Sequence, residues 1–501
     1  MFHWIELSSR PLHTIRRARA ALAACALFCC LGLALPVSGL AATHGLLTGF
    51  TDFDAFQNAT APDRDIAFQH ARGAGASIIR FTWSWAAAAP HAPAKLADTR
   101  DPAWPGYDWG FVDAVTRQAV AAGLTPLFEA TGAPSWAEGP NRPRVSAQAP
   151  AGTWKPSPAA FEAFAEAAAR RYSGHYPDPQ NPGQFLPRIR YWQGWNEPNL
   201  TAYLSPQWTR KHGRLVPASP DTYRQLLNAW YRGIKKVSRS NVVITAGTAP
   251  FGDLHKGDPR IPPALFVRDL FCLQGRRALR RVRCKGAPVH FDALAHHPYP
   301  IGPPRRHAPN PDDVSIADWS RLTRPLHAAQ KHHTVTAGHK QLWATEFSWN
   351  SRPQDPQGIP QQLEATYVQG ALSELWQEGV TVATWFNMRD APADGNALPS
   401  GIFFRGKTIS DDKPKPAYTA FRFPFTAYMH RSGAQLWGLA PAPGLVVIEK
   451  QRGNGWTTVA RLHARNRDRM FLGHARLSPR TLVRARQGTS TSAPWKVFSP
   501  K

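Results

Sequence analysis

Two glutamates, Glu197 and Glu346, are the residues of this sequence best placed to do chemistry. Glu197 lies in Trp195-Asn196-Glu197-Pro198, and Glu346 lies in Ala344-Thr345-Glu346-Phe347. Each follows a short apolar run rich in aromatic and β-branched residues, which is typical of a buried strand. Carboxylates at the ends of two strands can share a displacement at a sugar carbon, because one protonates the leaving oxygen while the other attacks the anomeric carbon. The spacing therefore indicates the carboxylate pair of a retaining glycoside hydrolysis.

The attacking carboxylate must be ionised and held still, so a basic neighbour is expected. Arg80 is a charged residue inside the apolar run Ile79-Arg80-Phe81. Because buried arginines are rarely unpaired, we expect Arg80 to pair with Glu346; a structural ion pair elsewhere in the fold is the alternative. Asn196 could hold the sugar hydroxyl next to the reacting centre. Glu197 could instead only cap the following loop, but the same placement at Glu346 disfavours this.

The sequence His296-His297-Pro298-Tyr299 offers two further polar contacts at the end of another predicted strand. We expect His297 and Tyr299 to contact the sugar, with Tyr299 also able to hydrogen-bond Glu346, and His296 to be a core residue. The carboxylate-and-histidine spacing of a zinc site is absent, so no metal and no other cofactor is expected. Trp385 could place a ring face under the reacting sugar, or it could be a core tryptophan.

The elements that must position these residues are eight predicted strands. They are short apolar runs, as parallel strands buried on both faces should be. The predicted strands are Gly45–Phe50, Ser77–Trp85, Leu124–Thr131, Ile189–Trp195, Val242–Thr248, His290–His297, Lys340–Phe347 and Thr381–Asn387.

Helical segments alternate with these strands. Ser157 can cap a helix that begins at Pro158, and Thr222–Val237 and Leu363–Glu378 carry apolar residues at three- and four-residue spacing. Eight strands alternating with helices predict an α/β fold of the (β/α)8 TIM-barrel type. An open doubly wound sheet is the alternative, but no Gly-rich phosphate loop follows any predicted strand.

The pattern changes after about Pro424. Short β-rich runs separated by turn signals such as Gly453-Asn454-Gly455 predict a small all-β, sandwich-like domain. The predicted organisation is a signal peptide over 1–42, a catalytic barrel over 43–424 and a C-terminal β-domain over 425–501.

The N-terminus has the order of a secretory signal. An uncharged run, Ala20–Leu35, is followed by the small-residue site Gly39-Leu40-Ala41 and preceded by arginines at Arg10, Arg16, Arg17 and Arg19. We expect a secreted or periplasmic protein without a stable membrane span after signal removal; a retained membrane anchor is the alternative.

Two cysteines, Cys272 and Cys284, lie outside this segment, whereas Cys25, Cys29 and Cys30 lie within it. In an exported protein an even pair predicts a disulfide, and two free buried thiols are the alternative. The bond would be worth about 3 kcal/mol in the chain-entropy model.

The chain is strongly basic, with a net charge of +26. Setting aside the four arginines and one glutamate of residues 1–42 leaves about +23. This balance suits an anionic environment, and an acidic exopolysaccharide is one candidate partner. A nucleic-acid partner is not expected, because no binding motif accompanies the charge. The densest basic stretch, Arg276–Lys285, precedes a predicted strand and is therefore expected on the barrel face opposite the active site.

Taken in order, Arg80, Asn196-Glu197-Pro198, His297-Pro298-Tyr299, Glu346 and Trp385 resemble glycoside hydrolase clan A, and bacterial secreted members similar to families 39 and 5 in particular. The resemblance covers about Gly45 to Pro424. It implies a retaining mechanism with Glu197 as acid/base and Glu346 as nucleophile. One departure is that Ala130-Thr131-Gly132 stands where some families of the clan place a histidine, so the sugar stays open.

The sequence thus predicts a monomeric secreted glycosidase that cleaves β-linked sugar in a polysaccharide or oligosaccharide. A transglycosylase using the same carboxylates and a non-catalytic carbohydrate-binding protein of the envelope are the alternatives.

Overall fold

A computed structural model of the chain describes residues 44–392, 398–430 and 433–498. The predicted signal peptide lies outside the described residues. The described residues belong to one compact unit.

Eight strands build the centre of this unit. All eight predicted strands are confirmed, with ends that differ by at most three residues. The strands are β1 (Leu47–Thr51), β2 (Ile78–Ser84), β3 (Thr125–Thr131), β4 (Tyr191–Gly194), β5 (Val242–Thr245), β6 (Ala293–His296), β7 (Gln341–Phe347) and β8 (Val380–Phe386).

These strands close into a barrel in the order β1-β8-β7-β6-β5-β4-β3-β2, and every neighbouring pair is parallel. All eight carboxyl ends therefore meet at one rim, where the residues that follow β4, β6 and β7 come together. The register sets Arg80 of β2 beside Leu127 of β3 and Thr51 of β1. The predicted TIM barrel is confirmed.

Each strand is followed by a helix on the outside of the barrel. In the helix that begins at Pro158, the Ser157 hydroxyl accepts a hydrogen bond from the backbone N–H of Ala160 at 3.4 Å, and the proline occupies the first turn. The helices are α1 (Ala61–Gly73), α2 (Gly110–Ala121), α3 (Pro158–Arg171), α4 (Ser219–Val237), α5 (Pro263–Leu270), α6 (Ser320–Lys331), α7 (Gln361–Gln377) and α8 (Pro416–Arg422).

Short helical segments and short strands lie in the connecting loops. Single helical turns lie at Phe53–Asn58, Trp85–Ala88, Leu96–Arg100, Ser135–Ala137, Ile316–Asp318 and Ile409–Asp411. Small two-stranded sheets pair Trp208–Lys211 with Arg214–Pro217, Leu273–Gln274 with Arg280–Arg281, and Phe403–Phe404 with Lys413–Pro414. None of the described helices is both long enough and apolar enough to span a membrane.

The C-terminal part is built of β-strands, as predicted, and these strands pair antiparallel. Its strands are β9 (Phe425–His430), β10 (Gly433–Leu439), β11 (Gly444–Arg452), β12 (Gly455–Ala464), β13 (Met470–Ala475) and β14 (Leu482–Gln487), with short pieces at Ser490–Thr491 and Trp495–Lys496. One sheet has the order β9-β10-β13, and the other has the order β12-β11-β14 with Ser490–Thr491 at its edge. The buried side chains of both sheets form one shared apolar core.

The β-rich part packs directly on α7 of the barrel. The Thr426 hydroxyl donates to the Ser373 hydroxyl at 3.0 Å, and the ring centroids of Trp376 and Trp437 are 6.0 Å apart. The exact division at residue 424 stays a prediction.

Cys272 and Cys284 are joined in a disulfide, with Cα atoms 5.9 Å apart. Arg276, the first residue of the basic stretch, contacts Asp312 at 2.6 Å in the loop that follows β6, so this residue is not on the opposite face as predicted. The position of the rest of the basic stretch stays a prediction.

Candidate active site

The backbone around Glu197 is held in an unusual conformation at the end of β4. Trp195 has a φ of 78° and Glu197 has a φ of 33°, both in the left-handed region that non-glycine residues seldom adopt. Two backbone hydrogen bonds hold the turn: Trp195 N–H donates to Ala130 at 2.8 Å, and Glu197 N–H donates to Gly247 at 3.0 Å. Strain of this kind persists where the surrounding structure fixes it, often at functional sites.

His297 lies directly behind Glu197. Its Nδ1 is 2.9 Å from Glu197 Oε1, and its side chain is fully buried. The ring fits only because residue 247 is a glycine: a Cβ there would come within 2.1 Å of His297 Nε2. With the hydrogen on Nδ1, the imidazole donates to Glu197 and fixes the orientation of its carboxylate.

Glu346, near the end of β7, is held on both oxygens. Arg80 Nη1 contacts Oε1 at 2.6 Å, and the Tyr299 hydroxyl donates to Oε2 at 2.9 Å. Burial raises the pKa of Glu346, but His297 and Arg80 and the hydrogen bonds from Tyr299 and Arg80 outweigh burial, so the pKa lies below its usual value. Glu346 is therefore ionised at neutral pH.

Tyr299 stays protonated while it supports this carboxylate. Burial, followed by the negative charges of Glu346 and Glu197, raises its pKa well above 10. A neutral phenol donates its hydrogen to Glu346, which stabilises the ionised carboxylate without adding a second negative charge.

Arg80 is the centre of a fully buried polar network. Besides Glu346, it contacts Glu129 at 2.7 Å, Gln193 Oε1 at 2.7 Å and Asn196 Oδ1 at 3.0 Å. Burial lowers the pKa of Arg80, but the carboxylates of Glu129 and Glu346 outweigh it, so the guanidinium is firmly charged. Because these contacts come from β3, from β7 and from β4 with the turn that follows it, Arg80 of β2 fixes the relative position of the four strands.

Glu129 and Gln193 were not predicted as site residues. Both are polar residues within apolar barrel strands, and that is the signal that could have found them. Burial raises the pKa of Glu129 above its usual value, although Arg80 and Thr82 oppose the change.

The two predicted catalytic carboxylates are close together. One oxygen of Glu197, one oxygen of Glu346 and one ring nitrogen of His297 all lie within 4.8 Å of one another. Such a trio could hold a cation, but the Arg80 guanidinium already compensates the charge of Glu346 at 2.6 Å. The arrangement favours proton transfer and nucleophilic attack over metal binding.

A cleft of about 650 Å³ opens above these carboxylates. Among the described residues that line it, the charged ones are four carboxylates and one arginine. The lining residues include Glu197, Tyr203, Tyr299, Glu346, Phe53, Asp52, Asp54, Asn58, Phe386, Asn387 and Arg389. Two of the four carboxylates are paired with arginines, Glu346 with Arg80 and Asp54 with Arg405.

The Asp52 side chain connects the loops on two sides of the cleft entrance by hydrogen bonds. Its carboxylate accepts hydrogen bonds from the backbone N–H groups of Ala55 at 2.8 Å, Met388 at 3.0 Å and Arg389 at 3.2 Å. Burial is the main reason that its pKa is raised to about 6. The loops after β1 and β8 are therefore linked through this one side chain.

The structure brings six of the predicted residues into one connected cluster: Arg80, Asn196, Glu197, His297, Tyr299 and Glu346. It does not bring Trp385 to the cleft. That ring is fully buried and its Nε1 donates to the Ser400 carbonyl at 2.7 Å, so the prediction of a sugar-stacking Trp385 needs correction. The next residue, Phe386, points to the opposite side of β8 and lines the cleft instead.

The sequence matches no protein-family model and no curated protein. The fold, however, is similar to those of solved glycoside hydrolases. A family 39 glycoside hydrolase from the gut symbiont Bacteroides cellulosilyticus WH2 is 16% identical, with a TM-score of 0.51 over 86% of this chain and 79% of that one. A monomeric beta-xylosidase from Caulobacter crescentus CB15 is 14% identical, with a TM-score of 0.50 over 87% of this chain and 98% of that one. The predicted resemblance to family 39 of clan A is confirmed at the level of the fold.

Proposed function

We propose that the chain is a retaining glycoside hydrolase that cleaves β-linked sugar, with Glu346 as nucleophile and Glu197 as acid/base. The observation that carries this proposal is the carboxylate pair, whose oxygens approach within 4.8 Å. Retaining enzymes hold their two carboxyl groups about 5–5.5 Å apart, whereas inverting enzymes need about 6.5–9.5 Å to admit a water molecule.

In the first step, the ionised Glu346 attacks the anomeric carbon while Glu197 protonates the departing oxygen. Arg80 and Tyr299 hold both oxygens of Glu346, so little reorientation is needed before attack. The bond from the sugar to the leaving oxygen breaks, the bond to Glu346 forms, and the proton of Glu197 leaves with the departing alcohol.

In the second step, the ionised Glu197 takes a proton from water, and that water attacks the anomeric carbon of the glycosyl-enzyme. His297 supports this change of role, because its ring remains 2.9 Å from Glu197 and can donate to the carboxylate form. Glu346 leaves with its negative charge, which Arg80 stabilises.

The charge of the cleft favours an uncharged reacting sugar. Four carboxylates face the cleft, but Glu346 is paired with Arg80 at 2.6 Å and Asp54 with Arg405 at 2.5 Å. The carboxylates left to disfavour an anionic sugar in this position are therefore those of Asp52 and Glu197. Arg389 is engaged by Asp412 at 2.7 Å rather than free for a substrate carboxylate. An acidic exopolysaccharide as the overall partner stays a prediction that rests on net charge alone.

We also propose that the chain is exported as a monomer after removal of residues 1–42. The disulfide between Cys272 and Cys284 supports this, because structural disulfides persist mainly in oxidising compartments. The barrel over 43–424 would then carry catalysis, and the β-rich part over 425–501 would cover α7.

The test is product release from neutral and acidic exopolysaccharides and from aryl β-glycosides, including a β-xyloside because a neighbour in fold is a beta-xylosidase. We expect product from the native enzyme and none from Glu346→Gln, since the amide cannot attack. The matched control is Glu162→Gln, which changes a glutamate that pairs with Arg232 on the outside of the barrel.

Each outcome separates this proposal from its alternatives. Release of sugar that is lost only in Glu346→Gln supports hydrolysis, and products longer than the substrate would identify a transglycosylase. Turnover retained in Glu346→Gln would remove Glu346 as the nucleophile. Binding without turnover across the whole panel would favour a non-catalytic carbohydrate-binding protein.

A further inference from the structure

A second polar cavity lies at the end of the barrel opposite the active-site cleft. It has a volume of about 510 Å³ and is lined by residues that precede β1 and β2, by the ends of α1 and α8, and by the turn between β12 and β13. Four of its described lining residues are arginines, namely Arg72, Arg422, Arg467 and Arg469. Arg467 is paired with the Asp468 carboxylate at 3.6 Å, which distinguishes it from the other three. No residue of the candidate active site lines it, so it is separate from the proposed catalysis.

The guanidinium groups of Arg72, Arg422 and Arg469 have few partners. Arg469 Nη2 donates to the Gly75 carbonyl at 2.8 Å and its Nη1 to the Pro441 carbonyl at 3.4 Å. The contacts of Arg72 with the Ala76 carbonyl and of Arg422 with the Ser490 hydroxyl are both 3.4 Å long. Within residues 44–392, 398–430 and 433–498, none of the three forms an ion pair with a carboxylate. Each guanidinium carries five N–H donors, so most of these donors are available to a ligand.

The one carboxylate that lines the cavity is already engaged. Asp468 receives Arg465 Nε at 2.9 Å on one oxygen, and Arg465 Nη2 contacts its other oxygen. Arg465, which is not one of the three arginines, therefore compensates the charge of Asp468.

The three arginines also repel one another. Burial, followed by the positive charges of Arg72 and Arg422, lowers the pKa of Arg469. Arg72 and Arg422 lie in the last turns of α1 and α8, where the helix dipole favours a cation. Arg469 has no such support and has a φ of 58°, in the left-handed region, so the chain accepts strain where this guanidinium is placed.

We propose that Arg72, Arg422 and Arg469 form an anion-binding site for a phosphate group. A bound oxyanion would accept hydrogen bonds from several guanidinium forks and relieve their mutual repulsion. The cavity is much larger than one ion requires, which leaves room for a group attached to the phosphate. The shared chemistry is a phosphate oxyanion, either free or carried as an ester on a larger molecule such as a sugar.

Isothermal titration calorimetry on the full processed protein tests this site without any assay of glycosidase activity. One titration uses inorganic phosphate and another uses glucose 1-phosphate, both in chloride buffer of constant ionic strength at pH 7. The site variant is Arg72→Gln with Arg422→Gln. The control variant is Arg452→Gln with Arg461→Gln, two exposed arginines of β11 and β12 that remove the same amount of charge.

We expect saturable phosphate binding that weakens at least tenfold in the site variant and less than twofold in the control. Near-ultraviolet circular dichroism should show the same folded state in both variants. Glucose 1-phosphate binding as tight as that of inorganic phosphate would assign the site to an esterified phosphate, and binding of inorganic phosphate alone would assign it to the free ion. Absence of saturable binding of either, or equal weakening in the two variants, would overturn the proposal.

Discussion

Replacing Gly247 with alanine should remove most of the proposed enzyme's turnover, although residue 247 contributes no side chain to the site. The added Cβ would lie 2.1 Å from Nε2 and 2.2 Å from Cδ2 of His297. Ordinary carbon contacts are about 3.5–4 Å, so the imidazole must move by more than about 1 Å. The backbone of residue 247 can accept alanine, since no positive φ is found there.

The expected loss of turnover can be estimated from the contact between His297 and Glu197. Its Nδ1 lies 2.9 Å from Glu197 and its position sets that of the acid/base. A misplacement of about 1 Å at a catalytic group can cost about a hundredfold in rate, which corresponds to about 2.7 kcal/mol. We therefore expect kcat to fall about a hundredfold in Gly247→Ala, with a smaller change in KM.

The assay measures kcat and KM on the best substrate of the panel for Gly247→Ala, His297→Ala and the double variant. Because the alanine acts through the imidazole, adding it to His297→Ala should cost little further activity. Gly455→Ala in β12 is the matched control, since its Cβ would meet only a carbonyl at 3.7 Å. Full activity in Gly247→Ala, or equal losses in both backgrounds, would refute this reasoning.

Three further variants probe the rest of the cluster. Tyr299→Phe removes the 2.9 Å hydrogen bond to Glu346, so the pKa of that carboxyl should rise and the acidic limb of the kcat/KM profile should move to higher pH. The Glu346 contribution to stability, present above its usual carboxyl pKa and lost as pH falls through its lower folded pKa, should shrink as well. Arg80→Met leaves two buried carboxylates unpaired, and denaturant titration should show a loss of about 3–5 kcal/mol. Replacing Cys272 and Cys284 by alanine should lower stability by about 3 kcal/mol in the same titration, with kcat unchanged because neither lines the cleft.

For each of these variants, one result would contradict the proposed role of the residue. An unmoved acidic limb in Tyr299→Phe would mean that the hydrogen bond does not set the ionisation of Glu346. Undiminished stability in Arg80→Met would contradict the paired state of the network. A lowered kcat in the cysteine variant would mean that the disulfide-closed hairpin supports the site.

The barrel could be predicted from the sequence because its strands are buried on both faces and therefore read as uninterrupted apolar runs. The pairing of Arg80 could be predicted for the same reason, since a charged side chain inside an apolar strand is buried and therefore needs an oppositely charged partner. The cluster around Glu197 and Glu346 followed once the strand ends were known, because all carboxyl ends of a parallel barrel meet at one rim.

Other parts of the site depend on information that a single sequence does not hold. Side chains alternate across a strand, so an uncertainty of one residue at the end of β8 exchanges Trp385 for Phe386 as the cleft residue. The contacts of Arg80 with Glu129 and Gln193 require the register of β2, β3 and β4, which no local pattern specifies. The position of Arg276 beside Asp312 depends on how the disulfide-closed hairpin folds against the barrel.

The central claim is that two carboxylates act by double displacement, and the configuration of the first product tests it most directly. Proton NMR during hydrolysis of an aryl β-glycoside by the native enzyme, recorded before mutarotation, identifies the anomer that is released. The account predicts the β-anomer, because two inversions at the anomeric carbon restore the starting configuration. Release of the α-anomer would contradict it and would show that a water molecule, rather than Glu346, attacks the sugar.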